Sequence, residues 1–228
     1  MASPTVENYL KAILALSGQQ GTVTVSNLSA TLGVSKPSAN SMVKRLDEQG
    51  LVIYERYRPL RLTEAGRRQA ALIVRKHRLT EMYLVKKMGF GWEEVHPIAE
   101  QIEHIDSPAL FERMDELLGS PHADPHGSPI PDREGNLREQ GGDRLSDCGA
   151  GTAVKLVGLD HSTPDFLTYL DSKQLKLGSL ITVEEVEAFD GTVTLSYAGR
   201  TAVLPRATAE KLLVARQSPP PASGSSTR

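Results

Sequence analysis

Residues 25–66 read VSNLSATLGVSKPSANSMVKRLDEQGLVIYERYRPLRLTEAG, and this stretch decides the fold. Ser26 is placed to cap a short helix over Asn27 to Leu32. Gly33 closes that helix at a position where a positive φ costs any other residue. A second helix starts after Ser35, with Pro37 in its first turn and Met42, Val43 and Leu46 as its apolar side. Gly50 ends it, and Leu51–Tyr54 and Leu60–Thr63 read as short strands around the charged turn Glu55-Arg-Tyr-Arg-Pro. Helix, turn, helix, strand, basic turn, strand is the order of a winged helix-turn-helix. The second helix opens with Ser35, Lys36, Pro37, Ser38, Asn40 and Ser41, small or polar groups that allow close approach to base edges. Lys36, Lys44 and Arg45 suit phosphates, and Arg56, Arg58 and Arg61 form a basic wing for the DNA backbone. Winged helices also serve as protein-docking modules, which is the alternative at this point.

Outward from this stretch, apolar residues from Val6 to Leu16 recur at helical spacing, and Gly18 and Gly21 stop them. Thr63 opens a long helical stretch reaching to about Met88. Pro97 and Pro108 mark two more helix starts, giving helices over 97–105 and 108–118. Between 119 and 151 prolines and glycines accumulate and periodicity is lost, the mark of a linker or a long ordered loop. Short strands follow at 153–158, 180–186, 192–197 and 201–204, with a helix over 164–170 and an Asp190-Gly191 hairpin turn, the pattern of a small β-barrel. The expected organisation is a winged helix-turn-helix at 1–63, a helical domain at 64–120, a linker at 121–151, a small β domain at 152–216 and a disordered tail at 217–228.

Net charge is −2, but its distribution is uneven. Residues 1–75 hold 10 Lys/Arg against 5 Asp/Glu, and residues 76–140 hold 7 against 13. A basic first third suits a polyanion and an acidic middle suits a cation. No apolar run approaches the roughly 18 residues of a membrane span, and no signal peptide is apparent, so a cytoplasmic protein is expected. One cysteine, Cys148, excludes an internal disulfide framework and a Cys-rich zinc site. His122 and His126 fall in the Pro-rich loop and are expected to be solvated.

The acidic middle carries metal-ligand spacing. His77 and Glu81 stand at i and i+4, on one helix face. Glu100, Glu103 and His104 stand at i, i+3 and i+4, with His96 one turn earlier. A divalent first-row cation takes imidazole nitrogen and carboxylate oxygen converging in this way. Isolated His/Glu pairs are usually solvated, and then an organic effector of the winged helix remains open. A metal hydrolase is disfavoured, since the chain has no HExxH and no obvious general base outside these residues.

The stretches PTVENYLKAIL (4–14), SKPSANSMVKRLDEQGLV (35–52), LRLTEAGRR (60–68), RKHRLTEMYL (75–84), EVHPIAEQIEHI (94–105) and SPHADPHGSPIP (120–131) resemble the DtxR/MntR family of metal-dependent repressors. LKLGSLITV (175–183) and GTVTLSYAGR (191–200) look like the SH3-like domain of its longer members. The resemblance implies a mainly α protein with small β parts: a winged helix-turn-helix, a helical dimerisation domain and an SH3-like β-barrel. It implies a homodimer that binds a palindromic operator in double-stranded DNA, with metal as corepressor of metal-uptake genes. It places Asn8, Glu100, Glu103 and His104 at a primary metal site, His77, Glu81 and His96 at an ancillary site, and Asp165 near a ligand lent by the SH3-like domain. The iron branch has Met at the position of Asn8 and Cys at that of Glu100. The manganese branch has Asp, Glu and Glu at the positions of Asn8, Lys11 and Glu100. Lys11 cannot ligate while charged, so a separate ancillary site fits better than a binuclear one. With no sulfur ligand, the donor set favours Mn(II) first and Fe(II) second.

Overall fold

Thr63 caps the longest helix by accepting the Gly66 amide at 3.0 Å, and this helix organises the first half of the molecule. The structure is a computed structural model that describes residues 3–160 and 162–216, apart from the side chains of residues 19 and 20. The expected disordered tail, 217–228, lies outside the described residues. The chain divides into two units: residues 1–125 with 129–138, and 126–128 with 139–228.

In the first unit, α1 (Pro4–Gln20) is capped by Ser3 and ended by Gly21 in the left-handed region. α2 (Val25–Leu32) begins two residues before the expected start, because Thr24 and not Ser26 caps it. The Thr24 hydroxyl accepts the Asn27 amide at 3.1 Å while Asn27 Oδ1 accepts the Thr24 amide at 3.2 Å, a reciprocal capping box. α3 (Lys36–Glu48) starts at the Ser35 cap. The wing strands shrink to β1 (Val52–Ile53) and β2 (Arg61–Leu62), paired antiparallel. Their outer residues have other partners: the Tyr54 amide donates to Asp47 Oδ1 and the Leu60 amide to the Val23 carbonyl.

α4 (Glu64–Tyr83) continues into a π-turn at Leu84–Met88, stopped by Gly89 in the left-handed region. Its first half belongs to the core of the winged helix, since Ala70 and Ile73 pack with Leu10, Ile13, Leu28, Val43, Leu46 and Val52. The core therefore runs past the expected domain boundary at 63. Gly66 lies against the wing, and a Cβ there would meet the Leu51 carbonyl oxygen at 1.9 Å. α5 (Val95–Ile102) starts two residues before the expected 97 and ends three before the expected 105. α6 (Pro108–Leu118) ends at Gly119.

Residues 121–151, expected as a linker, carry defined structure. The carbonyl of Pro131 accepts from Arg75 at 2.7 Å, and that of Pro129 accepts from Arg78. Asp115 joins Arg75 at 2.8 Å and Arg133 at 3.2 Å. Two arginines of α4 thus hold this irregular segment by its backbone, a link that carries no periodicity. His126, expected to be solvated, is 4 % exposed, and its carbonyl accepts the Leu159 amide.

The second unit is a six-stranded antiparallel sheet in the order β3-β8-β4-β5-β6-β7. The strands are β3 (Asp143–Arg144), β4 (Ala153–Leu159), β5 (Leu180–Val186), β6 (Val193–Tyr197), β7 (Arg200–Leu204) and β8 (Leu212–Arg216). Register shifts at Leu156/Gly158 and Val183/Glu185 mark bulges, which bend a sheet over its core. That core includes Leu156, Leu167, Leu170, Leu175, Ile181 and Leu195. α7 (Pro164–Ser172) and α8 (Arg206–Ala209) complete the unit. No helix among the described residues is long and apolar enough to cross a membrane.

Candidate metal centre

α4 presents His77 and Glu81 one turn apart, both buried, at 7 % and 2 % exposure. α5 brings His96, from its first turn, against them. His77 Nε2, Glu81 Oε1 and His96 Nδ1 form a triangle with edges of 3.0, 3.1 and 3.2 Å. Two imidazoles and one carboxylate are the donor set that first-row divalent cations take. Donors about 2.1 Å from one cation stand roughly 3.0 Å apart at adjacent octahedral corners and roughly 3.4 Å apart at tetrahedral ones. The observed edges lie near the octahedral value, so these residues fit such an ion.

The other face of His77 is also held. Nδ1 lies 2.5 Å from Glu103 Oε2, and Glu103 is completely buried. A carboxylate behind a ligating imidazole fixes the ring and its tautomer, leaving Nε2 for the metal. Burial opposes protonation of His77, but hydrogen bonds to Glu103 and Glu81 outweigh it and push the metal-free imidazole up to about 9. Burial likewise raises the Glu103 carboxyl, yet the His77 and Lys11 hydrogen bonds overcome this and hold it below the usual carboxylate range.

The family resemblance placed Asn8 with Glu100, Glu103 and His104. In the structure Asn8 is exposed, and its neighbours on α1 make the junction with α5. Glu7 Oε2 lies 2.6 Å from His104 Nδ1. Lys11 Nζ donates to Glu103 Oε1 at 2.6 Å and to Glu100 Oε1 at 3.2 Å. Glu100 Oε1 is also 3.6 Å from His96 Nε2, on the outer side of the His77–Glu81–His96 triangle. Glu7 was absent from the sequence-derived set; its i, i+4 relation to Lys11, which puts both on one face of α1, is the signal that could have found it.

Comparison with known proteins gives these clusters a context. Residues 1–60 match the N-terminal DNA binding domain of iron dependent repressors. Residues 63–132 match their metal binding and dimerisation domain, and residues 144–216 match the FeoA domain. The iron-dependent repressor IdeR of Mycobacterium tuberculosis is 36% identical over 160 residues, spanning 67% of this chain and 70% of IdeR. The diphtheria toxin repressor of Corynebacterium diphtheriae is 30% identical over 211 residues, 86% of this chain and 90% of that protein. The chain belongs to the DtxR/MntR family of metal-dependent repressors. A solved structure of a manganese-dependent transcriptional repressor in complex with manganese superposes on this family member with a TM-score of 0.82, at 33% identity, covering 93% of this chain and all of that one.

The residues that the sequence marks for DNA contact lie on α3 and the wing. Ser35, Lys36, Pro37, Ser38, Ser41, Lys44 and Arg45 are all exposed, and so are Arg56, Arg58 and Arg61. Several of the expected contacts already have internal partners, the Ser35 and Ser38 hydroxyls among them at 2.8 Å from each other. Ser35 Oγ accepts the Ser38 amide at 3.2 Å as the helix cap. Asn40 Oδ1 accepts the Tyr54 hydroxyl at 2.8 Å, which leaves the side-chain amide as the group offered to a base. Arg58 pairs with Glu55 at 3.0 Å, in a turn where Tyr57 has φ 67° and is 90 % exposed. Asp165 belongs to the C-terminal unit, where it is exposed in the first turn of α7.

Proposed function

We propose that the protein is a metal-dependent, DNA-binding transcriptional repressor whose corepressor is one divalent cation held by His77, Glu81 and His96. The observation that carries this reading is the triangle of three donor atoms at 3.0–3.2 Å behind a winged helix. Mn(II) is the first candidate and Fe(II) the second, because the set holds neither thiolate nor thioether. The proposed partner is a palindromic operator in double-stranded DNA, bound by a cytoplasmic homodimer that silences metal-uptake genes. The exposed apolar side chains of Met88, Ile105 and Leu117 in the first unit suit a dimer contact. Its relatives are named as repressors, and catalysis is not part of the reading.

The residues suggest how the coupling works. α4 has Ala70 and Ile73 in the head core and His77 and Glu81 at the metal triangle. A bound cation supplies positive charge and a bond between α4 and α5. His77 is oriented for this by Glu103, and Glu81 Oε1 lies between the two imidazoles. Fixing α5 against α4 fixes the heads, and two recognition helices must land about 34–36 Å apart, or a multiple, on the operator. Heads free to swing meet that spacing only part of the time.

The test is a mobility-shift titration of metal-stripped protein on its own upstream DNA and on metal-transporter promoters, at one stated salt concentration, with Mn(II), Fe(II), Zn(II) or chelator. Binding that appears with Mn(II) and vanishes with chelator supports the reading. Binding indifferent to every metal and to chelator overturns it, and leaves an organic effector.

A further inference from the structure

Four ligand-type side chains lie where α1 meets the α5 region: Glu7 pairs with His104, His104 Nε2 is 3.7 Å from Glu103, and Glu100 and Glu103 share Lys11. One positive group stands among them. Lys11 Nζ is 2.6 Å from buried Glu103 and 3.2 Å from Glu100. Both oxygens of Glu103 are engaged, Oε1 by Lys11 and Oε2 by His77. Lys11 comes from α1, whose Val6, Leu10 and Ile13 lie in the head core, whereas both carboxylates come from the α5 region. The ammonium therefore does two things that a divalent cation at this junction would do: it neutralises the α5 carboxylates and it ties the head to them. It is also fixed to the chain, and a second cation placed among the same oxygens would meet its repulsion at close range.

We propose that Lys11 is a tethered cation that takes the place of a metal ion between α1 and α5. The protein then takes one divalent metal per protomer, at His77, Glu81 and His96. The single-ion count rests on the metal reading of His77, Glu81 and His96; the exclusion at Lys11 does not.

The test measures bound metal per protomer by mass spectrometry after equilibrium dialysis of the full chain against Mn(II). The variants are Lys11→Gln, Lys11→Arg and His77→Ala, each checked for native circular dichroism. The expected counts are one for the wild type, two for Lys11→Gln, one for Lys11→Arg and none for His77→Ala. A wild-type count of two overturns the proposal whatever the variants do. So does a folded Lys11→Gln variant that stays at the wild-type count, or a Lys11→Arg variant that gains an ion. A wild-type count of zero that rises to one in Lys11→Gln keeps the tethered cation and removes the His77 site.

Discussion

The Lys11 ammonium on the first helix lies 2.6 Å from Glu103 Oε1, while the other oxygen of the same carboxylate holds His77 at 2.5 Å. One buried anion thus ties the head helix to the imidazole of the proposed metal site.

Removing that anion leaves two cationic partners without it. Glu103→Gln is expected to cost about 3–5 kcal/mol in the metal-free protein, the range for breaking one side of a buried pair. Thermal unfolding in chelator reads it, and an unchanged midpoint for the first transition would contradict the arrangement.

pH acts on the same pair with opposite signs. The folded value of His77 is raised from 6.5 to about 9, so its contribution is complete below about 6.5 and is lost as pH rises through 9. The folded value of Glu103 is lowered from 4.5, so its contribution is present above 4.5 and is lost as pH falls through the folded value. The metal-free N-terminal unit should therefore be more resistant to urea near pH 6 than at pH 9.5, as far as these two groups decide it. Metal bound at Nε2 displaces the His77 proton, so calorimetry in buffers of different ionisation enthalpy should show proton release at pH 7.

His96→Ala deletes one corner of the donor triangle. Loss of a group that merely supports a ligand typically costs about 10–100-fold in metal affinity, and loss of the ligand should cost at least as much. Fluorescence anisotropy on operator DNA with rising Mn(II) measures it. A response curve superposable on the wild type would remove His96 from the site.

Lys44, exposed on α3, is expected to meet a phosphate and not a base. Lys44→Ala is expected to weaken binding equally across operator variants and to reduce the slope of log K against log salt by about 1 per DNA contact. A change in sequence preference would move Lys44 to base reading.

Gly66→Ala tests the seat of the long helix. Its Cβ would fall 1.9 Å from the Leu51 carbonyl, and overpacking of this kind costs about 1–3 kcal/mol. Chemical denaturation reads the loss; a neutral substitution would mean that the wing can move away from α4.

Much of this was legible in the sequence because local chemistry left marks. Caps, glycines and prolines gave most helix ends to within two or three residues, though α1 runs through Gly18 to Gln20, and the Thr24 cap was missed only because Ser26 is an equally good cap by type. The i, i+4 pair His77/Glu81 follows from helical period, but its meeting with His96 depends on how α5 packs, which spacing does not encode. Lys11 carried the same limit: its charge was plain, its position over Glu103 was not. The strand Leu212–Arg216 was not assigned, since its three consecutive buried residues break the alternation that marks a half-exposed strand. The hold of Arg75 and Arg78 on residues 129–131 runs through backbone carbonyls, which any sequence would offer.

α4 is one uninterrupted helix from the head core to the metal triangle, and Ile73 precedes His77 by a single turn, about 6 Å along the axis. A lever this short has little slack. Thermodynamic reciprocity then makes the operator an effector of the metal site: DNA that holds the heads in place must raise metal affinity by the factor that metal raises DNA affinity. A repressor so built surrenders its ion last from the promoters it grips hardest, so a falling metal supply would release its target genes in order of operator strength.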